Sequence, residues 1–317
     1  MIEAKQLVKK YGTFTAVNGV SFEVNQGEVF GLLGPNGAGK TTTMEMIEGL
    51  RRPDGGTAIV CGYDTQTDLR RVKEVIGVQL QSTSLFDLLR VKEIIQMYAG
   101  FYANTLEIDP LLERMILTEK SQDRIKNLSG GQKQRLAIAL ALVHDPKVIF
   151  LDEPTTGLDP QARRTLWDIV LSLKNEGKTI VLSTHYMEEA HVLCDRICLM
   201  DRGQVVALDT PDALIRQLQF DNAIEFRLGE GSAFSSAGKD HEELERLLTL
   251  LRSVDEVKQV EVRNDTYLLY TDDLQKALTS WIASAATNHV FFTDLQTRTA
   301  TLEDVFIHMT GRSLREA

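Results

Sequence analysis

The sequence predicts an α/β protein in which a core domain with a parallel sheet precedes a smaller α/β domain. Short, continuous apolar runs recur through the first two thirds of the chain, which is typical of parallel strands buried on both faces. A glycine-rich segment joins one of these runs to a helix-forming stretch. After about residue 219 the strand and helix signals change to the order βαββαβ.

The length and composition fit a folded protein with two domains, or with one large domain and an appendage. The 317 residues are 43% hydrophobic and 25% charged, values typical of globular rather than disordered proteins. With 45 acidic and 35 basic side chains, the formal net charge is −10. This charge disfavours a protein that coats nucleic acids, because binding many phosphates requires a positive surface.

The apolar runs, the first residues and the cysteines indicate in which compartment the protein is found. Its longest apolar runs are far shorter than the ~18 residues that a membrane-spanning helix needs. The first residues lack the basic and apolar segments of a secretory leader. Cys61, Cys194 and Cys198 are too few, and odd in number, for a disulfide framework. We therefore expect a cytoplasmic protein.

The core domain is predicted to cover residues 1–219. A long, largely helical stretch at about 82–143, with amphipathic segments at 91–98 and 109–115, is expected to form a helical subdomain within it. The apolar runs predict strands at 28–33, 75–80, 148–151, 179–183 and 197–200.

Residues 220–317 are predicted to form the second domain. Its pattern indicates a ferredoxin-like fold with a hairpin in the middle, turning at 263–265. Strands are predicted at 223–228, 257–262, 266–271 and 290–295, and helices at 242–251 and 274–285.

A short amphipathic helix is expected at the end of this domain. Thr301 and Asp304 have the spacing of a capping box, and Leu302, Val305, Phe306 and Met309 follow at helical spacing. The helix either packs on its own domain or contacts a partner.

The glycine-rich segment has the pattern of a phosphate-binding loop. Residues 34–41 fit the pattern G-x-x-x-x-G-K-[ST] between a predicted strand and a predicted helix. Glycines let backbone N–H groups surround a phosphate, and the helix that follows adds the positive end of its dipole. Lys40 is expected to supply a cation to the outer phosphates, and the Thr41 hydroxyl can ligate Mg²⁺.

Two carboxylates follow the predicted strand at 148–151. Because ligands gather at the carboxyl ends of parallel strands, Asp152 and Glu153 are expected beside the phosphate loop. Asp152 is the candidate for holding Mg²⁺. Glu153 is the candidate general base.

Two further strand ends point to the same edge. The strand at 179–183 leads to His185, which is placed to hydrogen-bond a terminal phosphate. The strand at 75–80 leads to Gln81, which is placed to reach Mg²⁺ or the attacking water, with Gln79 as the alternative.

A second candidate anion site begins at residue 128. In the segment Leu-Ser-Gly-Gly-Gln, Ser129 can cap a helix at about 131–143, and the two glycines leave the first N–H groups of that helix open. Phosphate loops occur in many kinds of enzyme, and it is this pentapeptide that separates the families.

With these motifs in this order and spacing, residues 2–217 resemble the nucleotide-binding subunit of an ATP-binding-cassette (ABC) transporter, with a P-loop ABC-type ATPase core. The resemblance implies catalytic roles for Glu153, His185 and Gln81, and Mg²⁺ ligation by Thr41, Gln81 and Asp152. Tyr11 lies where family members stack an aromatic ring on adenine. The implied nucleotide contacts are Tyr11, Gly34, Asn36, Gly37, Ala38, Gly39, Lys40, Thr41, Thr42, Ser129, Gly131, Gln132 and Asp159.

The resemblance also implies an assembly. Family members form head-to-tail homodimers that enclose two ATP molecules, each between the phosphate loop of one subunit and the Ser129–Gln132 segment of the other, with Asp159 at the seam. The tail at 301–312 is similar to drug-resistance exporters of the daunorubicin-resistance kind, which work with a separate membrane-spanning permease. One departure is Arg90, where family members often have Thr; the expected permease contact lies near Leu85, Phe86, Leu88 and Leu89.

Other functions fit less well. A soluble cassette ATPase that remodels ribosomes or DNA usually carries two cassettes or a long coiled coil, and this sequence has neither. A kinase or GTPase would leave the segment at 128–132 without a role, and the Asn-Lys-x-Asp guanine motif does not occur. A regulatory protein that binds ATP without turnover would not need Glu153.

Overall fold

The computed structural model of the chain describes residues 1–81, 85–218, 220–229, 232, 234, 241–263 and 265–311. The chain divides into two compact units, Met1–Pro211 with the described terminal residues from Met309, and Asp212–His308. The predicted start of the helical stretch at 82, the turn residue Asn264 and Arg312 of the tail lie outside the described residues. None of the helices in the described ranges combines the length and the hydropathy that crossing a membrane requires.

The larger unit alternates strands and helices. Its helices are α1 Lys40–Ile47, α2 Leu69–Val75, α3 Val91–Ala99, α4 Ile108–Arg114, α5 Gly130–Leu142, α6 Pro160–Asn175 and α7 Met187–Leu193. Its strands are β1 Ile2–Tyr11, β2 Phe14–Val24, β3 Val29–Leu33, β4 Gly55–Val60, β5 Tyr63–Asp64, β6 Ile76–Gln79, β7 Val148–Asp152, β8 Thr179–Thr184, β9 Arg196–Asp201 and β10 Gln204–Asp209.

A six-stranded sheet positions the site. Its order is β10-β9-β3-β8-β7-β6, and all of its strands except β10 run parallel. Strands β3, β7 and β8 are buried along their whole length, as their continuous apolar sequences predict. In register, Leu33 pairs with Thr184, Ser183 with Asp152, and Leu151 with Gln79. The carboxyl ends of four strands therefore meet at one edge.

A second, antiparallel sheet with the order β2-β1-β4-β5 packs into the same core. The Phe22 ring on β2 stacks on Phe30 of β3 with 5.0 Å between centroids. The sequence patterns predict no strand before residue 28. The reason is that β1 has shifts of register after Ala4, Leu7 and Lys9, which interrupt the alternation that identifies a half-buried strand.

Helices occupy the segment between β6 and β7 where the sequence predicts them. Helices α3 and α4 cover the two amphipathic segments, and α5 begins one residue earlier than expected, at Gly130. Two short 3-10 turns, Thr118–Lys120 and Ile125–Asn127, lead into α5. The apolar face of α3 is buried through Val91, Ile94 and Ile95.

The smaller unit has the predicted ferredoxin-like topology. Its sheet has the order β12-β13-β11-β14, and every neighbouring pair is antiparallel. Phe226, Tyr267 and Trp281 stack in its core. The elements from Pro211 onward are α8 Pro211–Arg216, β11 Asn222–Leu228, α9 His241–Arg252, β12 Gln259–Arg263, β13 Thr266–Thr271, α10 Leu274–Thr287, β14 Phe292–Thr299 and α11 Leu302–Thr310.

The start of α11 is fixed by Asp304. Its carboxylate accepts hydrogen bonds from the backbone N–H and hydroxyl of Thr301, as the capping-box spacing predicts. It also binds two arginines, Arg263 at 2.9 Å and Arg298 at 2.6 Å, and the Tyr270 hydroxyl at 2.9 Å. These charge-assisted bonds hold the pKa of the buried Asp304 carboxyl well below its usual range. Asp304 thus connects α11 to β12, β13 and β14.

Candidate functional site

The loop between β3 and α1 requires glycine at both of its ends. A Cβ atom on Gly34 would lie 2.2 Å from the Met200 carbonyl oxygen, and one on Gly39 would lie 2.5 Å from the Ala16 carbonyl oxygen. Gly39 also has a φ of +97°. The loop is therefore packed closely against its surroundings, and any other residue at either position would displace backbone.

The middle of the loop faces solvent, and the helix after it is open. Asn36 and Gly37 are exposed, whereas Ala38 is buried and its N–H donates to the Pro35 carbonyl at 3.2 Å. The first turn of α1, which includes Thr42, has no side-chain cap. Its N–H groups can therefore donate to an anion at this end of the helix dipole.

Lys40 lies inside this loop. Its ammonium group is buried and donates to the carbonyl oxygens of Gly34 at 2.8 Å and Pro35 at 3.0 Å. Glu153 Oε1 is 3.8 Å from the Lys40 nitrogen. Burial lowers the pKa of Lys40, and the charges of Glu153 and Asp152 oppose that shift. An anion bound in the loop would stabilise the protonated, charged form of Lys40.

Asp152 lies at the end of β7 and is surrounded by hydroxyl groups. The Thr41 hydroxyl donates to Asp152 Oδ1 at 3.3 Å, and the Ser183 hydroxyl donates to the same oxygen. Burial raises the pKa of Asp152, and the two hydroxyl bonds oppose the rise. The carboxylate and the Thr41 hydroxyl form a pair of oxygen donors of the kind that Mg²⁺ prefers.

Glu153 is the point where the predicted residues converge. Its Oε1 lies 3.4 Å from His185 Nδ1, without hydrogen-bond geometry, in addition to its contact with Lys40. Its Oε2 accepts from the amide of Gln81 at 3.2 Å and from the Thr156 hydroxyl at 3.2 Å. Residues from four separate strand ends or loops thus surround one carboxylate.

The backbone of Glu153 is held in an unfavourable conformation. Its φ is +45°, in the left-handed region, which costs a residue with a side chain about 1 kcal/mol or more. The Glu153 N–H donates to the Ser183 carbonyl at 3.2 Å and to the Ser183 hydroxyl at 3.0 Å. Strain of this kind, held by neighbours, is typical of functional residues.

The segment at 128–132 forms a separate cluster. Ser129 and Gln132 make the reciprocal bonds of a capping box at the start of α5, with the Gln132 N–H 3.3 Å from the Ser129 hydroxyl and the Ser129 N–H 2.9 Å from the Gln132 Oε1. Gly131 allows α5 and α6 to pack closely, because a Cβ atom at this position would lie 2.9 Å from the Ala162 Cβ on α6.

Asp159 and Tyr11 have local contacts of their own. Asp159 caps α6 by accepting from the N–H groups of Gln161 and Ala162 at 3.0 and 2.9 Å. Tyr11 ends β1, is 43% exposed, and has the Arg51 guanidinium 5.4 Å from the centre of its ring. An exposed ring at this position is available for stacking.

Three further residues lie in or near the site, and of these the sequence patterns single out only Gln79. Ser183 bonds to both Asp152 and Glu153, and its signal was its place in the final two residues of a buried strand. Gln79, the alternative to Gln81, is buried, and its amide nitrogen donates to the Leu80 carbonyl at 2.6 Å. Glu48, just after α1, carries a buried carboxyl group, and the pattern of apolar residues did not predict its burial.

Comparisons with known proteins agree with this geometry. The ABC transporter family model matches residues 17–156. The Nod factor export ATP-binding protein I of Burkholderia orbicola (strain AU 1054) is 37% identical over 320 residues, covering 99% of this chain and 98% of that protein. The linearmycin resistance ATP-binding protein LnrL of Bacillus subtilis (strain 168) is 36% identical over 324 residues, covering 100% of both.

Solved structures match the larger part of the chain. A dimeric post-hydrolysis state of the ATP-binding cassette MJ0796, bound to ADP and Pi, has a TM-score of 0.60 and 28% identity, covering 66% of this chain and 98% of that chain. An ATP-binding subunit of an ABC transporter has a TM-score of 0.62 and 30% identity, covering 68% of this chain and 92% of that chain. The chain therefore belongs to the ATP-binding subunits of ABC transporters, in the group of drug-resistance-type exporters, and is an ATPase.

Proposed function

We propose that this ATPase powers export through a separate membrane-spanning permease, by closing and opening a head-to-tail homodimer around two ATP molecules. One observation carries the proposal: Glu153 lies among Lys40, His185 and Gln81 at the edge where four strands end. A carboxylate in that position can accept a proton from a water molecule that attacks the terminal phosphate.

The other residues are assigned the roles that the resemblance to the family implies. Backbone N–H groups of residues 34–42 and the Lys40 ammonium bind the phosphates, and Tyr11 stacks on adenine. His185 contacts the terminal phosphate and Gln81 the attacking water. Ser129, Gly131 and Gln132 of one subunit complete the phosphate site of the other, where the start of α5 supplies a second positive helix end. Asp159 lies at the seam.

We assign Mg²⁺ to Thr41 and Asp152, with Gln81 as a further ligand. The oxygen ligands that Mg²⁺ prefers are present, because the Thr41 hydroxyl and the Asp152 carboxylate lie side by side. The hydrogen-bond partners of the buried Asp152 are hydroxyl groups rather than a cation. When bound, Mg²⁺ neutralises developing charge on the phosphates.

The permease places the chain at the cytoplasmic face of the cell membrane. Phe86 and Leu88, in the predicted contact segment, are exposed apolar side chains that a partner would cover. The relatives named for Nod factor export and linearmycin resistance support a cargo of the drug, lipid or polysaccharide class. The 220–317 region serves as an accessory domain.

The test is the exchange Glu153→Gln, which keeps the shape of the side chain and removes the base. ATP hydrolysis should fall by about 10²–10⁴-fold, whereas ATP–Mg²⁺ should now hold a stable dimer in size-exclusion chromatography with light scattering. Glu23→Gln, at an exposed position on β2, is the matched control and should behave as the unaltered chain. A variant that stays monomeric with ATP contradicts the dimer, and co-purification from detergent-solubilised membranes identifies the permease.

A further inference from the structure

The ring of His185 lies beside Glu153 without a hydrogen bond from its buried nitrogen. His185 Nδ1 has no hydrogen-bond partner among the described residues, although Glu153 Oε1 is 3.4 Å away. Strand β8 ends at Thr184 and helix α7 begins at Met187, so His185 belongs to neither element. Packing against other side chains is therefore needed to hold the ring in this place.

The ring of Tyr186 supplies one such contact. It packs beside the His185 ring with 4.2 Å between the centroids and 41° between the planes. The backbone of Tyr186 is fixed on both sides, because its N–H donates to the Thr184 hydroxyl at 2.9 Å and its carbonyl accepts from the Ala190 N–H at 3.1 Å. An aromatic ring on a fixed backbone limits the movement of the His185 ring on that side.

The Tyr186 ring in turn contacts a cation from α6. The guanidinium carbon of Arg163 lies 4.5 Å from the centre of the Tyr186 ring, which is within the range of a cation–π interaction. The Nε of Arg163 is buried, and no acceptor in the described part of the chain pairs with it. Since buried donors are normally paired, the contact with the ring, rather than a hydrogen bond from Nε, accounts for the position of the guanidinium.

Helices α6 and α7 hold Arg163 and Tyr186 at a fixed separation. The Arg163 N–H donates to the Asp159 carbonyl at 3.0 Å in the first turn of α6. About one helical turn beyond Arg163 and Tyr186, the Trp167 Nε1 donates to Glu189 Oε1 at 3.1 Å, and both of these side chains are buried. The two helices are thus joined at two points, and Arg163 presents its charge to the ring from a rigid element.

We propose that Arg163 and Tyr186 are positioning residues for His185. The Arg163 cation fixes the Tyr186 ring, and this ring holds the imidazole of His185 beside Glu153. Three consecutive contacts carry the inference: Arg163 to Tyr186 at 4.5 Å, Tyr186 to His185 at 4.2 Å, and His185 to Glu153 at 3.4 Å. Its consequence for hydrolysis rests on the proposed function, in which His185 contacts the terminal phosphate.

The position of the His185 ring is tested on the full chain without nucleotide. In a sample with labelled histidines, the variant His185→Gln identifies the NMR signals of this ring among those of the six histidines. Arg163→Met keeps the length of the side chain and removes its charge, so it should shift these signals as the neighbouring Tyr186 ring moves. Arg163→Lys keeps the charge and should leave them near their original positions. Arg70→Met, at an exposed position on α2, is the control and should shift nothing.

The effect on hydrolysis is measured in the same variants. Arg163→Met should lower kcat by about tenfold and leave the KM for ATP within about twofold, because displacing a reacting group by about 1 Å can cost up to ~10²-fold in rate. Arg163→Lys should restore most of kcat. Tyr186→Leu should lower kcat as Arg163→Met does, and the double variant should fall no further, because both side chains act through one contact.

Four results would overturn the proposal. The first is an Arg163→Met variant with unchanged His185 signals and unchanged kcat. The second is an equal loss in Arg163→Lys and Arg163→Met, which would show that the charge does not hold the ring. The third is an additive loss in the double variant. If urea titration shows that Arg163→Met does not fold, Tyr186→Phe and Tyr186→Leu are compared; the ring in Tyr186→Phe should preserve kcat, and equal kcat in these two variants is the fourth.

The variant His185→Gln separates this inference from the proposed function. If it hydrolyses ATP as fast as the unaltered chain, the role proposed for His185 is wrong, and the signals measured without nucleotide still decide whether Arg163 places the ring. If His185→Gln loses hydrolysis while Arg163→Met keeps both its kcat and its His185 signals, the proposed function stands and only the positioning role of Arg163 is refuted.

Discussion

Ser183 and Asp152 are register partners at the ends of adjacent parallel strands, and the Ser183 hydroxyl donates to Asp152 Oδ1. The same hydroxyl accepts from the Glu153 N–H at 3.0 Å. One small side chain therefore orients the candidate Mg²⁺ ligand and the strained backbone of the candidate base. Ser183 acts through these two residues and is a positioning residue.

Ser183→Ala should reduce both stability and hydrolysis. The exchange leaves the buried Asp152 carboxylate with one hydroxyl donor fewer and removes a bond to a residue with positive φ, so we expect a loss of about 1–3 kcal/mol in the free energy of unfolding. Urea titration measures the stability, and a phosphate-release assay measures kcat. Ser172→Ala, in α6, is the control. If kcat falls while KM stays constant, the role of Ser183 is in orienting the base rather than in binding ATP.

Lys40→Ala should weaken ATP binding by about ten- to hundredfold, because it removes a charged donor to the phosphates. It also removes the bonds that hold the carbonyls of Gly34 and Pro35. Fluorescence titration with an ATP analogue gives the affinity, and Lys10→Ala, at an exposed position on β1, is the comparison. An unchanged affinity would remove Lys40 from the site.

Glu48 should give the larger unit a pH-dependent stability. Its pKa rises from an ordinary value near 4.5 to about 8 in the folded chain. Between these values the folded state binds more protons than the unfolded state, so its stability falls as the pH rises, by at most about 1.4 kcal/mol per pH unit. Glu48→Gln should flatten the curve.

The two tryptophans make this measurable. Trp167 lies in α6 of the larger unit and Trp281 in α10 of the smaller one, so Trp281→Phe leaves a single reporter for the larger unit. Denaturation of this variant is followed from pH 5.5 to 8.5 with and without Glu48→Gln. Parallel slopes in the two variants would show that the Glu48 carboxyl does not titrate in this window.

Asp304→Asn should destabilise the smaller unit by about 3–5 kcal/mol, because it leaves Arg263 and Arg298 near each other without their shared anion. Since the pKa of Asp304 is lowered, its contribution is present above the ordinary range of an aspartate and is lost as the pH falls through and below that range. Fluorescence of Trp281 in a Trp167→Phe background reports the unfolding. Asp294→Asn, at an exposed position, is the control, and ATP affinity should stay constant in both variants.

Patterns between near neighbours in the sequence predicted the buried strands of the core sheet and the sheet of the smaller unit. Continuous apolar runs identified the buried strands that precede Gly34, Gln81, Asp152 and His185, and their shared carboxyl edge is what brought Glu153 to Lys40. The alternation of strand and helix after residue 219 predicted the ferredoxin-like sheet. The irregular β1 was missed, because its shifts of register break the period from which a strand is recognised.

The chain sequence by itself determined where the buried parallel strands, the glycine turns and the helix caps occur, because these depend on neighbours along the chain. Only the tertiary structure decided which side chains meet. In the sequence nothing distinguishes Ser183 from the other serines; its role arises because β8 lies beside β7. Gly131 is required because α6 places Ala162 against it. Glu48 is an ordinary acid in the sequence, and burial of its carboxyl at the end of α1 raises its pKa in the folded chain. The removal of side chains from water and their close packing arise only in the folded interior, and they decide the chemistry of these residues.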